Sequence, residues 1–434
     1  MSSLNNLIVN NSRSFLGKLV IPGDKSISHR SIILGSIAKG KLIINNFLKS
    51  DDCLHTISAM RNLGAKITEH KEQIMIEGIG LDNIKKPKNI IDAGNSGTLI
   101  RLLAGILSTQ NFTSRITGDE SLILRPMKRI IEPLAAHGAN INSIHFKAPL
   151  TIIGNTKLSP INYRQDIASA QVKSCLMLAS LFIEGESKFY EEIVTRDHTE
   201  NLLEHLEYNI TRSNNETRIK GGEVLSAKDI TIGSDISSAA FFIVAALILN
   251  NSEIEIPNVN INKYRTGIIA ALGKMGADIS IINKRVDSNE NIADLIIKST
   301  QLKSINLGGE IISTLIDELP ILFIACAVSS GVSKITGIKE LRYKESDRIK
   351  SMEEGLIAVG IKVTSTIDSI EIHGGEIIGG KINSYGDHRI AMAFAIAGLV
   401  AKKSLTIVNT KNISTSFPTF IELMREQGAN IYEL

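Results

Sequence analysis

The chain has 434 residues, of which 43% are hydrophobic, 21% charged and 4% aromatic, with no Trp and a formal net charge of +3. That length supports two or three domains with real cores, and the balance is that of a globular protein, which excludes a disordered chain. So small a net charge with so few aromatic rings gives neither an electrostatic footprint for nucleic acid nor a base-stacking platform, and no uncharged apolar run is long enough to span a membrane. The opening residues, MSSLNNLIVNNSRSF, lack the charged-then-apolar layout of a secretory signal, so a cytoplasmic protein is expected. Three scattered cysteines, Cys53, Cys175 and Cys326, make neither a disulfide framework nor a zinc spacing.

Six helix-length, almost wholly apolar runs recur along the chain, each entered through polar or charged residues. In order they read SISHRSIILGSIA from Ser26, NSGTLIRLLAGIL from Asn95, SAQVKSCLMLASL from Ser169, SDISSAAFFIVAALIL from Ser234, DELPILFIACAV from Asp317 and DHRIAMAFAIAGLV from Asp387. Helices apolar nearly all round are buried, not half-solvated. An amphipathic helix follows each run. Most of these end on a glycine suited to a left-handed C-cap, namely Gly64, Gly138, Gly276, Gly360 and Gly428, whereas the third, NLLEHLEYNI, lacks one. Strand-like stretches such as KLIINNF, QIMIEGI, LTIIG, EIEI and SLTIV complete a strand–helix–strand–helix–strands unit of roughly seventy residues. Six such units predict two domains of three units each, divided near Lys228–Ile232.

Charge is concentrated where the buried runs begin. Lys25, Ser26 and Arg30 open the first, and Ser26 and Arg30 share a helical face. Asn95-Ser96-Gly97-Thr98 opens the second with Arg101 one turn on, and Gly97 allows close approach to the backbone. Ser169, Gln171 and Lys173 open the third, and Asp387, His388 and Arg389 the sixth. Outside these runs stand Arg125 in LILRPM, Arg196 in TRDHTE, and Lys344, Glu345 and Arg348 in LRYKESDRI. Asp197 and Glu200 read as a capping box, and Lys344 and Arg348 as neighbours on one helical face. A helix N-terminus already favours anions through its free N–H groups and dipole, so added cations point to a small, highly anionic ligand held by charge-assisted bonds. Asp317 and Glu345, acids among cations, are the candidates for proton transfer. His29, His198 and His388 lack metal-ligand spacing and are expected to be oriented, hydrogen-bonded side chains. No phosphate-binding GxxxxGK[ST] loop or dinucleotide GxGxxG is present, so neither cofactor nor metal is expected.

PGDKSISHR (22–30), DAGNSGTLIRLLAG (92–105), RPM (125–127), SAQVKS (169–174), RDHTE (196–200), DELP (317–320), KESDRI (344–349), GDHRIAMA (386–393) and SFP (416–418) resemble the 5-enolpyruvylshikimate-3-phosphate synthase family along the whole chain and in order. SAQVK and RDHTE look like its class II branch, often associated with glyphosate tolerance. The resemblance implies a two-domain inside-out α/β barrel, each domain three βαβαββ repeats, here 21–232 and 1–20 plus 233–434, with the active site in the cleft between them. It implies transfer of the enolpyruvyl group of phosphoenolpyruvate to the 5-hydroxyl of shikimate 3-phosphate by a monomer without metal or cofactor. Carried over residue by residue, Lys25, Ser26, Arg30, Ser169, Gln171, Arg196, Asp317 and Lys344 hold shikimate 3-phosphate. Lys25, Gly97, Arg125, Gln171, Arg348 and Arg389 hold phosphoenolpyruvate, with Asp317, Glu345 and Lys25 catalytic.

The chain departs from the family pattern at Tyr264 in NKYRTG, at Thr195, at Leu122-Ile123-Leu124, and at Thr415-Ser416, where relatives carry a Lys before Phe-Pro and only Lys411 is nearby. The rival is the UDP-N-acetylglucosamine enolpyruvyl transferase, of the same fold and donor. It carries a loop Cys that the Thr109–Arg125 segment lacks, and SISHR matches the shikimate branch. Against a non-catalytic member stand Lys25, Asp317, Glu345 and Arg389.

Overall fold

The computed structural model describes residues 6–70 and 73–434. The chain divides into two compact units. The N-unit takes Gly23–Ile232 and Val286–Glu290, and the C-unit takes the chain up to Pro22, Gly233–Arg285 and Asn291–Leu434. Pro22 belongs to the C-unit because its carbonyl accepts the Asp235 N–H at 3.0 Å and that of Ile21 accepts the Ser234 hydroxyl at 2.8 Å. Glu290 belongs to the N-unit because it accepts from His198 Nδ1 at 2.8 Å and from the Asn201 amide at 3.1 Å. Residues 1–5 of the segment read as 1–20 lie outside the described residues.

In the N-unit the helices are α1 (Lys25–Ile37), α2 (Asp51–Asn62), α3 (Gly97–Ser108), α4 (Lys128–Ala136), α5 (Ala170–Ser180) and α6 (His198–His205). The odd-numbered ones are the apolar runs and are buried almost throughout. Where α3 meets α5, a Cβ on Gly105 would fall 2.1 Å from the Cys175 carbonyl oxygen, so glycine is what permits this separation. Three four-stranded sheets cover the helices. The first runs Ile230–Thr231, Lys39–Asn45, Gln73–Ile79, Lys66–Glu69, with a parallel pair followed by two antiparallel ones. Its register sets Leu42 against Ile76 and Ile44 against Ile74, all facing the core, and the period of two puts charged residues such as Lys41 outside. The other two sheets repeat this order.

The C-unit repeats the plan with α7 (Ile236–Ile248), α8 (Gly267–Lys274), α9 (Leu319–Val328), α10 (Arg348–Ala358), α11 (His388–Gly398) and α12 (Phe420–Glu426). Its sheets are completed by the start of the chain. Leu16–Lys18 pairs in parallel with Glu253–Asn260, and Leu7–Val9 lies antiparallel between Leu405–Val408 and Ile431–Glu433. Phe15, Phe241, Phe242, Phe417 and Phe420 interlock with ring centroids 5.6–6.4 Å apart, mostly edge to face, which ties both ends of the chain to α7.

The repeat reading therefore matches the architecture. The five glycines read as helix caps all take positive φ, from 84° at Gly428 to 106° at Gly64. In the repeat without glycine, Glu207 takes that place at φ 61°. No helix among the described residues is long and apolar enough to cross a membrane. The three cysteines are buried, and burial pushes each thiol up to about 12, which leaves them inert at neutral pH.

Candidate active site

In the N-unit, the candidate site residues gather at three helix starts. Asp24 caps α1 by accepting the Ile27 N–H at 2.9 Å, which fixes Lys25 in the first turn. The Lys25 ammonium pairs with Asp52 of α2 at 3.0 Å. Arg30, one turn on, is buried and fully directed. Its Nε donates to the Thr199 hydroxyl at 2.8 Å, one terminal nitrogen to the Ser26 carbonyl at 3.0 Å, and the other to the Ser174 hydroxyl at 2.7 Å. Arg30 thus joins α1 to α5 and α6. Between them, His29 faces the Thr56 hydroxyl through Nδ1 at 2.6 Å and that of Ser96 through Nε2 at 3.5 Å. Burial first, then the charges of Lys25 and Arg30, hold its pKa well below the usual 6.5, so the imidazole is neutral.

Ser96 caps α3 and Gly97 is that helix's first residue. Two guanidinium groups close on Gly97, so that an added Cβ would lie 2.7 Å from Arg101 Nη1 and 3.3 Å from Arg125 Nη1. Arg101 Nη1 donates to the Gly97 carbonyl at 3.1 Å and to Gln171 Oε1 at 2.8 Å, while the Gln171 amide donates to the Thr98 hydroxyl at 3.0 Å. Arg125 donates to Asn95 Oδ1 at 2.6 Å and to the Ser121 hydroxyl at 3.2 Å. The starts of α3 and α5 and the loop carrying Arg125 therefore gather Gly97, Arg101, Arg125 and Gln171. Ser169 caps α5, its hydroxyl accepting the Val172 N–H at 3.4 Å. Arg196 is half-buried in the loop that precedes α6.

In the C-unit the acids and cations read from the sequence converge. Asp317 immediately precedes Glu318, the capping residue of α9. Its Oδ1 lies 3.5 Å from the Lys344 ammonium and 3.7 Å from Arg348 Nη1. Arg348, only 1% exposed, donates through Nε to Asp387 Oδ2 at 2.8 Å and through Nη2 to Glu345 at 2.5 Å and to Asp387 Oδ1 at 3.3 Å. Burial opposes its charge, but Asp387, Glu345 and Asp317 outweigh that, so its pKa is raised and it stays a cation. Asp387 also caps α11 by accepting the Arg389 N–H at 2.9 Å, and this fixes the backbone of Arg389 at the helix start.

Two local readings are corrected. Lys344 and Glu345 lie outside the helix, which begins at Arg348 behind the cap Asp347, so Lys344 and Arg348 do not share a helical face; they meet through Asp317. Asp197 and Glu200 do not form a capping box. Asp197 makes no side-chain cap bond and takes Arg212 at 2.5 Å, while Glu200 turns inward to Lys173 at 2.7 Å.

The sequence reading also missed a buried cluster beside Asp317. Arg265 donates to the Ser237 hydroxyl at 2.7 Å and to Asp235 at 3.3 Å, and the Ser237 hydroxyl donates to Glu318. The usable signal was the acid at each helix entrance, since Asp235 caps α7 and Glu318 stands at the N-cap position of α9. Among the described residues no group of three or more His, Cys, Asp or Glu is placed to hold a metal ion.

Comparison with known proteins gives one consistent result. The sequence profile described as EPSP synthase (3-phosphoshikimate 1-carboxyvinyltransferase) matches residues 9–424. A 3-phosphoshikimate 1-carboxyvinyltransferase of Legionella pneumophila is 48% identical over 406 residues, 93% of this chain and 94% of that one. One of Coxiella burnetii is 45% identical over 422 residues, covering 97% and 96%. The solved EPSP synthase of Acinetobacter baumannii superposes with a TM-score of 0.89 at 43% identity and covers the whole of both chains.

Proposed function

The chain belongs to the EPSP synthase family, and we propose that it transfers the enolpyruvyl group of phosphoenolpyruvate to the 5-hydroxyl of shikimate 3-phosphate, releasing phosphate, in aromatic amino acid biosynthesis. The observation that carries this reading is the cluster of Asp317, Lys344, Glu345 and Arg348, two acids aligned by two cations. The substrates carry about six negative charges between them near neutral pH, and the cations at the helix starts match that demand.

In this reading Lys25, Ser26, Arg30, Ser169, Gln171, Arg196, Asp317 and Lys344 hold shikimate 3-phosphate. Lys25, Gly97, Arg125, Gln171, Arg348 and Arg389 hold phosphoenolpyruvate. Asp317 takes the proton of the 5-hydroxyl as its oxygen bonds to the central carbon of phosphoenolpyruvate. Glu345 gives a proton to the methylene carbon, which makes the central carbon electrophilic. The resulting tetrahedral ketal loses that proton again, the carbon–phosphate oxygen bond breaks, and phosphate leaves. The fixed cations stabilise the charge on the departing phosphate. The Arg348–Glu345 contact of 2.5 Å supports this assignment, because it directs the carboxyl group that must reach carbon. A monomer acting in the cytoplasm without metal or cofactor completes the proposal.

The test is phosphate release with both substrates present. Turnover with shikimate 3-phosphate and none with UDP-N-acetylglucosamine is expected. The reverse preference, or release with neither acceptor, would remove the reading.

A further inference from the structure

Lys173 is a lysine with 1% of its side chain exposed, the one charged residue among the buried positions of α5, which are otherwise apolar apart from Ser174 and Ser180. Its ammonium lies 2.7 Å from Glu191 and 2.7 Å from Glu200. Burying an ammonium is costly unless it is paired, and an apolar side chain of similar size would serve stability at least as well. Burial opposes its charge, yet Glu200 and Glu191 more than offset that, so its pKa is raised and it stays protonated. The residues that the proposed function assigns to the site do not include it.

Its two partners stand at the two ends of one segment. Glu191 closes the strand Glu186–Glu191, and its other oxygen accepts the Thr195 N–H at 3.0 Å and also the Thr195 hydroxyl. Glu200 lies in the first turn of α6. Arg196 falls between them, directly after Thr195. The backbone of Lys173 meanwhile donates to the carbonyl of Ser169 at 3.1 Å, in the first turn of α5. One residue on, Ser174 bonds the Thr199 hydroxyl at 2.7 Å, and Arg30 donates to both. Lys173 is thus bonded through its side chain to both ends of the segment that carries Arg196, its backbone closes the first turn of α5 on Ser169, and its chain neighbour Ser174 bonds Arg30, all three being residues that the proposed function assigns to one substrate.

We propose that Lys173 is a positioning residue, whose paired ion bridges to Glu191 and Glu200 set Arg196 in place relative to Ser169 for shikimate 3-phosphate. This rests on the function proposed above. The bridges fix both ends of the loop, so that Arg196 is held ready and loses less freedom when the ligand arrives.

A double-mutant cycle tests it by titration calorimetry with shikimate 3-phosphate on the full chain. Arg196→Ala is expected to weaken binding about tenfold in the wild type, as the loss of a charge-assisted contact does. In a Lys173→Met background the same change is expected to cost less than about threefold, with Lys173→Arg restoring most of the coupling. Where Lys173→Met does not fold, Lys173→Met/Glu191→Gln/Glu200→Gln, which removes all three charges together, takes its place in the cycle. Equal costs of Arg196→Ala in both backgrounds would overturn the inference while leaving the function intact. An unmodified protein that does not bind shikimate 3-phosphate overturns the function and this inference with it.

Discussion

Asp387 serves Arg348 and the start of α11 with the same carboxylate. Its Oδ2 takes Arg348 Nε at 2.8 Å, while its Oδ1 accepts the Arg389 N–H at 2.9 Å. The guanidinium of one residue assigned to phosphoenolpyruvate and the backbone of another are thus set by one acid. Asp387→Asn keeps a capping oxygen and removes the charge. Breaking a buried pair costs on the order of 3 kcal/mol, so the melting temperature should fall clearly. The KM for phosphoenolpyruvate should rise in parallel. Unchanged melting with unchanged KM would show that Glu345 and Asp317 suffice to hold Arg348.

Asp317 faces Lys344 at 3.5 Å and Arg348 at 3.7 Å and lies before α9, whose N-cap position is Glu318. Asp317→Asn should therefore leave the fold and its melting point nearly unchanged. Turnover should drop by at least about 100-fold, as for a lost general base. Steady-state kinetics at saturating substrates read this directly, and near-normal kcat would take Asp317 out of the mechanism.

His29 provides the pH dependence. Burial and its cationic neighbours depress its folded pKa below the unfolded value of 6.5, so the folded state resists a proton that the unfolded state accepts. Its contribution to stability is fully present above about pH 6.5 and is lost as pH falls below that value toward the folded pKa. His29→Gln, which retains polar contacts toward Thr56 and Ser96, should flatten that part of the stability curve. Denaturant melts at pH 7.5 and 5.5 measure it. An equally steep decline in the variant would assign the acid sensitivity to other groups.

What the sequence showed and what it hid divide along contact distance. The six buried helices, their glycine caps and the cations at their starts were legible because each depends on residues within one or two turns. Lys25 and Arg30 could be placed at the start of α1 for that reason, but not the acid that pairs with Lys25, because Asp52 is 27 residues away. Asp387 lies 39 residues beyond Arg348, and Arg265 lies 30 beyond Asp235. The TRDHTE segment misled for the same cause. Its acid spacing suits a local cap, yet tertiary partners won, with Arg212 drawing Asp197 and buried Lys173 drawing Glu200. The Gly97 environment shows the mixed case, in which the need for glycine was readable and its reason was not.

That reason gives the last prediction. The methyl of Gly97→Ala would sit 2.7 Å from Arg101 Nη1 and 3.3 Å from Arg125 Nη1. Both are ends of flexible side chains, so the fold can accept the substitution by displacing the guanidinium groups, and melting should shift little. Displacement of Arg101 disturbs its 2.8 Å bond to Gln171, and displacement of Arg125 disturbs its bond to Asn95 at 2.6 Å. Both Arg125 and Gln171 are assigned to phosphoenolpyruvate, so its KM should rise roughly tenfold, the cost of a weakened charge-assisted contact. Glyphosate, a longer phosphonate carboxylate, is expected to compete with phosphoenolpyruvate, and its inhibition constant should rise more than that KM. Binding of shikimate 3-phosphate alone, measured by calorimetry, should weaken less, since of the residues assigned to it only Gln171 is disturbed while Lys25, Arg30 and Ser169 are untouched. If affinity for shikimate 3-phosphate falls as much as that for phosphoenolpyruvate, the methyl distorts the whole helix start and Gly97 is not selective for one substrate.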